Sequence, residues 1–172
     1  MSMVVENGTG LSNSNSYVSE AEADAYVLLR LVPDWANLTV ERKDASLVAA
    51  TDYIEATYRQ AFKGHRMGQT QALSWPREDA YVDGFEVARN IVPDGVKKAA
   101  IELAILHSQG VPLLPDSITR GIKREKVDVL EVEYQDGALP MAQFPLPSRL
   151  LQPYLEGSSS ESGAMSLKVR RV

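Results

Sequence analysis

The sequence predicts a mainly α fold: a small helical bundle with a short β element and an extended C-terminal tail. Three observations predict it. Apolar residues recur at helical spacing in three segments of the front part of the chain. Six of the nine prolines fall between Pro112 and Pro153, where that periodicity stops. Gly157 to Gly163 is a serine and glycine run with the composition of a flexible linker. At 172 residues the chain has the length of one domain able to bury about two-thirds of its unfolded surface. The expected division is a domain over 1–156 and a linker with a docking tail over 157–172.

The elements follow in order. After a turn-rich opening from Asn7 to Ser16, Ser19-Glu20-Ala21-Glu22 has the form of a capping box, so a helix should run to about Leu31 and stop at Pro33. Thr39 is a plausible cap for a longer helix with Val40, Leu47, Thr51, Ile54 and Tyr58 on one face. Phe62 to Gly84 lacks sustained periodicity and reads as a long ordered loop pinned by Trp75 and Tyr81. A third helix should start near Pro93-Asp94 and end before Gly110, which suits a left-handed cap. Around Glu102 that helix is apolar on nearly every side, so it must be covered on more than one side. Some of the cover is expected from a second subunit, with Ile101, Ile105, Trp75 and Arg77 as candidate interface residues.

Val127 and Val129 then alternate with polar residues in one phase, and Leu130, Val132 and Tyr134 in the other. Two strands, or one with a bulge, would explain the slip. Gln135-Asp136-Gly137 is a turn signal, and Ser148 to Leu155 suits a short helix. Beyond the linker, Leu167, Lys168, Val169, Arg170, Arg171 and Val172 form the candidate docking segment. Its alternation up to Arg170 is that of an extended strand added to a partner's sheet.

Composition narrows the chemistry. With no cysteine and only His65 and His107, thiolate metal sites, disulfides and cysteine nucleophiles are excluded and a histidine-rich metal site is disfavoured. His107, one turn beyond Leu103, reads as a buried or interface histidine; His65 has no evident carboxylate partner. Asn7-Gly8-Thr9-Gly10 begins like a phosphate-cradling loop, but position 13 is Asn and no Gly-Lys-Ser/Thr follows, so a plain turn is expected. Glu78-Asp79 and the acids Asp128, Glu131 and Glu133 look like solvated strand faces rather than catalytic pairs. No catalytic residue, metal or cofactor is expected, and no enzyme activity. No apolar run approaches the ~20 residues of a membrane span, and the opening lacks the basic-then-apolar pattern of a secretion signal. The net charge of −5 speaks against a dedicated nucleic-acid binder. The basic clusters Lys63 to Arg66 and Arg120 to Lys126, with Trp75 or Tyr81 as a stacking surface, keep nucleic-acid contact as the other reading beside solvated surface or subunit contact.

Several short motifs then occur in a fixed order: Val4-Val5-Glu6-Asn7-Gly8-Thr9-Gly10, Asn15-Ser16-Tyr17-Val18-Ser19, Glu22-Ala23-Asp24-Ala25-Tyr26, Trp35, Ala49-Ala50-Thr51-Asp52-Tyr53-Ile54, Leu73-Ser74-Trp75-Pro76-Arg77 and Val92-Pro93-Asp94-Gly95-Val96-Lys97-Lys98-Ala99. Together they resemble a tailed-bacteriophage family often labelled DnaT-like single-stranded DNA-binding proteins, over roughly 4–106. Tyr134 and Leu150-Leu151-Gln152-Pro153-Tyr154-Leu155 fit less tightly. Despite the label, that family looks like the head-tail adaptors, or head completion proteins, of long-tailed phages. The resemblance implies a structural virion protein of the neck: a homo-oligomeric ring of about a dozen copies bound below the portal protein. Such a ring extends the DNA channel, lets double-stranded DNA pass without specific binding, and offers a platform to the next neck or tail-terminator protein. Before assembly it would reside in the host cytoplasm. The alternative reading is a single-stranded DNA-binding replication protein.

Overall fold

The computed structural model describes residues 2–114, 124–127, 130–133 and 144–157, and it is mainly helical, as the sequence predicts. Helix α1 spans Glu20–Leu28, and both halves of its capping box form: the Ser19 hydroxyl accepts from the Glu22 amide, and the Glu22 carboxylate accepts from the Ser19 amide at 3.0 Å. It stops three residues before the expected end. Pro33 does more than stop a helix, for it opens a further short one, α2 (Pro33–Ala36), where its fixed φ and missing N–H suit the first turn. Helix α3 (Val40–Tyr58) starts at Thr39, whose hydroxyl accepts from the Arg42 amide. Leu47, Thr51 and Ile54 are buried on its inner face, whereas Val40, expected there, is exposed.

Helix α4 (Asp94–Ser108) packs along α3 on one side and α5 (Pro145–Leu151) on another, and also touches α1. Its C-terminus closes as expected: Gly110 takes a φ of +88°, its amide donates to the His107 carbonyl, and the Val111 amide donates to the Leu106 carbonyl. The apolar circumference of α4 is thereby covered within one chain. Ile101 and Ile105 are 3% and 7% exposed, so the reason given for placing them at a subunit contact is removed. Their apolar character is accounted for by the chain's own core.

The segment joining α3 to α4 is ordered, with two minimal antiparallel pairs: β1 (His65–Arg66) with β2 (Arg77–Glu78), and β3 (Tyr81–Val82) with β4 (Phe85–Glu86). Trp75 pins it as expected, fully buried, with Phe62 and Tyr154 meeting its ring edge-on. Tyr81 does not, being half exposed. The peptide bond before Pro76 is cis. In the rear part, the slip in alternation corresponds to two strands, β5 (Arg124–Val127) and β6 (Leu130–Glu133), paired antiparallel from Val127↔Leu130 to Arg124↔Glu133. The expected turn at 135–137 lies outside the described residues. So do the docking residues Leu167, Lys168, Val169, Arg170, Arg171 and Val172.

Helix α5 and the 3-10 turn after it (Gln152–Tyr154) occupy the stretch read as one short helix. They lie so close to the start of α4 that a Cβ on Gly95 would stand 2.4 Å from the Tyr154 ring and 2.8 Å from the Leu150 carbonyl oxygen. Glycine is required there for close approach. Phe144, just before α5, meets Tyr53 of α3 edge-on at 5.3 Å and ties the rear of the chain to the core.

Candidate functional site

The motif-bearing residues serve the chain's own backbone. Gly8 and Gly10 do lie in left-handed conformations, with φ of +93° and +75°, as an anion-binding loop would require. The anion is internal. The buried Glu6 carboxylate accepts from the amides of Gly8, Gly10 and Leu11 at 2.9–3.0 Å and from the Ser14 hydroxyl at 3.0 Å. Donors that could cradle a phosphate are thus occupied by a carboxylate one residue upstream of the motif, and the loop is the turn expected.

A second buried network pins the segment before β2. Tyr17 donates a hydrogen bond to Glu55, whose carboxylate also accepts from the Ser74 amide and hydroxyl at 3.0 and 2.8 Å. The Ser74 and Trp75 amides in turn donate to the Tyr17 oxygen. Burial first, and then the Glu55 charge, push the Tyr17 phenol well above its ordinary value. Arg77, expected at a subunit contact, is turned inward: it donates to the carbonyls of Lys63 (2.7 Å), Gly64 (2.6 Å), Phe62 and Ser74. At 8% exposure, with Trp75 at 0%, neither residue offers a surface to a neighbour, and Trp75 cannot stack on a base as placed. Burial holds the Arg77 guanidinium below its usual pKa.

The histidines have ordinary neighbours. His107 Nδ1 lies 3.1 Å from Ser46 Oγ on α3, so the pair links two helices of the core. His65 does have carboxylate partners: the β1–β2 register sets Glu78 opposite it, and its two ring nitrogens lie 3.6 Å from Glu78 and 3.4 Å from Asp79. All three side chains are well exposed or partly so, which is the setting of a weak surface pair.

The described cations are largely committed. Lys63 donates to the Pro153 carbonyl, Arg66 to that of Gln71, and Lys97 pairs with Glu22 at 2.6 Å. Of the rear basic cluster, Arg124 and Lys126 fall within described backbone, and the β5–β6 register sets them opposite Glu133 and Glu131.

What faces outward is different in kind. Where α1 gives way to α2, Leu28, Leu29 and Leu31 are 74%, 84% and 85% exposed. They form a ledge beside an open groove of about 530 Å³, walled by Ala25, Val27, Leu28, Leu31, Val32 and Trp35. Leu31 has a φ of +53°, a left-handed backbone that a bulky side chain rarely adopts. At the floor, the Asp24 carboxylate accepts from Trp35 Nε1 at 2.7 Å and from Lys43 Nζ at 2.9 Å. Burial acts to raise the Asp24 pKa, but the hydrogen bonds from Lys43 and Trp35 and the Lys43 charge outweigh it and hold the acid below its ordinary value. Asp44 next door is raised, by burial and by the charges of Glu20 and Glu41. Sequence reasoning missed this groove. The three leucines were visible, but the reading ran α1 on to Leu31, which would have wrapped them around a continuing helix.

The fold and these sites define a class: a small mainly helical domain that spends its polar chemistry on internal bracing and exposes an apolar groove with an Asp24–Lys43 ion pair at its floor. Among the described residues, no group of three or more His, Asp or Glu is placed to hold a metal ion, and no helix is long and apolar enough to cross a membrane. The particular family comes from comparison. Residues 1–172, the whole chain, match the family described as "putative DnaT-like ssDNA binding protein", and the chain belongs to that family. Its description names single-stranded DNA binding and makes no mention of a phage neck. No curated protein and no solved structure matches the chain.

Proposed function

We propose that the chain works by associating with protein, as an adaptor subunit of the tailed-phage neck. It would form a ring of about 12 copies below the portal protein, extend the DNA channel and present a platform to the next neck or tail-terminator protein. The observation that carries this reading is the ledge of Leu28, Leu29 and Leu31, apolar surface that a solitary domain has no use for and a partner can bury. The acidic balance supports it as well, since a channel wall with few free cations does not hold DNA by its phosphates.

The second reading, a single-stranded DNA-binding replication protein, is the one the family description favours. Against it stand the burial of Trp75 and Arg77 and the hydrogen bond that ties Lys63 to the Pro153 carbonyl. In its favour stands the basic run Arg120 to Lys126, most of which lies outside the described residues.

One pair of measurements separates the two. The purified chain is imaged with portal rings, and its affinity for a labelled single-stranded oligonucleotide is measured between about 50 and 200 mM salt, where the number of phosphate contacts sets the slope. A ring on the portal with weak, unspecific DNA binding supports the adaptor. Tight binding that falls steeply with salt, and is lost when Lys123, Arg124 and Lys126 become Ala, establishes the DNA-binding reading instead.

A further inference from the structure

The apolar groove between α1 and α2 has an occupant suited to it in the chain's own sequence. We propose that it receives the Leu167–Val172 segment of a second copy, with Leu167 and Val169 against the Val27, Leu28, Leu31 and Trp35 wall, and Lys168 and Arg170 toward the Asp24 and Glu20 carboxylates. The proposal rests on the assembly reading above and gives that assembly a specific contact.

Two complementarities carry it. In extended chain, Leu167 and Val169 share one face and Lys168 and Arg170 the other, so a single segment presents an apolar edge and a basic edge together. The groove presents the matching pair. Its wall is apolar, and Asp24 lines it together with Lys43, whose ammonium is already held by Asp24 and by Glu20. Next to Lys43 in the chain, Asp44 has its pKa raised by burial first and then by the charges of Glu20 and Glu41, so further negative charge lies near that ion pair. Long basic side chains can lay their stems along the apolar wall and reach those carboxylates.

Distance favours a second copy over the same one. Lys43, at the floor of the groove, and Tyr58 are fifteen residues apart on α3, about 22 Å of helix. The last described residues lie past that far end, where Glu156 donates to the Ala61 carbonyl and Lys63 to that of Tyr154. From Ser158 to Ser166 the chain is rich in serine and glycine, a composition whose average span over that length is about 17 Å. Reaching its own groove would demand more than that average span, whereas reaching a neighbour set beside it does not.

The test uses the full chain and a labelled synthetic peptide of residues Met165 to Val172. Fluorescence anisotropy should show saturable binding that weakens as salt rises. Affinity should fall at least tenfold in Leu28→Asp, and equally when Leu167 and Val169 of the peptide are both serine. Leu31→Gly supplies the control for folding, because glycine relieves the left-handed backbone while removing the side chain: its melting temperature should hold or rise as peptide affinity falls. Sedimentation of the full chain should show concentration-dependent association that is lost on deleting Met165 to Val172. Absence of peptide binding overturns the proposal, as does binding unchanged by Leu28→Asp and Leu31→Gly. Peptide binding with a full chain that stays monomeric at every concentration overturns the second-copy assignment. The titration needs neither ring nor portal, so its failure leaves ring formation on the portal to be judged by imaging.

Discussion

The braced segment around Trp75 and the groove beside α2 use the same kinds of residue in opposite directions. In the first, an arginine, a tyrosine, a glutamate and a tryptophan all turn inward, and the polar atoms of the first three satisfy backbone groups of a stretch with almost no regular secondary structure. In the second, regular helices meet at a corner and leave three leucines facing water. The difference separates two causes of a recognisable sequence. The Leu73-Ser74-Trp75-Pro76-Arg77 motif is legible because an irregular loop must have its carbonyls and amides paired by particular side chains. A surface that meets partners needs only apolar area and charge, which leave a fainter trace in sequence.

The comparison can be broken by substitution, and the largest effect should come from the brace. Arg77→Met keeps the stem but leaves the carbonyls of Phe62, Lys63, Gly64 and Ser74 without their donor. A loss of about 3 kcal/mol or more is expected in urea unfolding. A loss under about 1 kcal/mol would mean that water replaces the guanidinium and the segment is not held as described. Gly95→Ala tests the adjoining contact. A methyl group there must displace Tyr154 or the Leu150 carbonyl, and about 1–3 kcal/mol should be lost, with Tyr154→Ala restoring part of it.

A third expectation concerns alkaline pH. The folded chain holds the Tyr17 proton more tightly than the unfolded chain does, and Tyr26 is likewise pushed up to about 12, by burial first and then by its hydrogen bond to Glu102. Both contributions are fully present below the unfolded value near 10, and they are lost as pH rises through the folded values. Stability should therefore fall above about pH 10, and Tyr17→Phe should flatten that slope. An unchanged slope in this variant would remove Tyr17 from the brace's account.

The smallest effect belongs to the ledge. Leu28→Asp should change the unfolding free energy by no more than about 0.5 kcal/mol, because the side chain is already in water. A large loss would show that Leu28 is part of the core after all, and the contrast between the two regions would collapse. Together with the Arg77 variant, it asks whether the residues that hold the fold and those that face partners are in fact different residues.

Local signals were enough for much of the helical frame. The Ser19 and Glu22 capping box, the Thr39 cap and the Gly110 terminus each act within a few residues, so the sequence alone determined where α1, α3 and α4 begin and where α4 ends. The phase slip after Val129 likewise determined a strand reversal. What only the tertiary structure decided involves partners far apart in the chain. Glu55 meets Ser74 across nineteen residues and Tyr17 across thirty-eight, α5 returns to cover α4, and Glu78 comes opposite His65 through strand pairing. Periodicity showed that Ile101 and Ile105 must be covered but could not say by what, since burial is indifferent to whether the cover belongs to the same chain or another. The corner at Leu31 escaped notice for a related reason: a left-handed leucine is locally unfavourable, and only the packing of α2 against α1 holds it there.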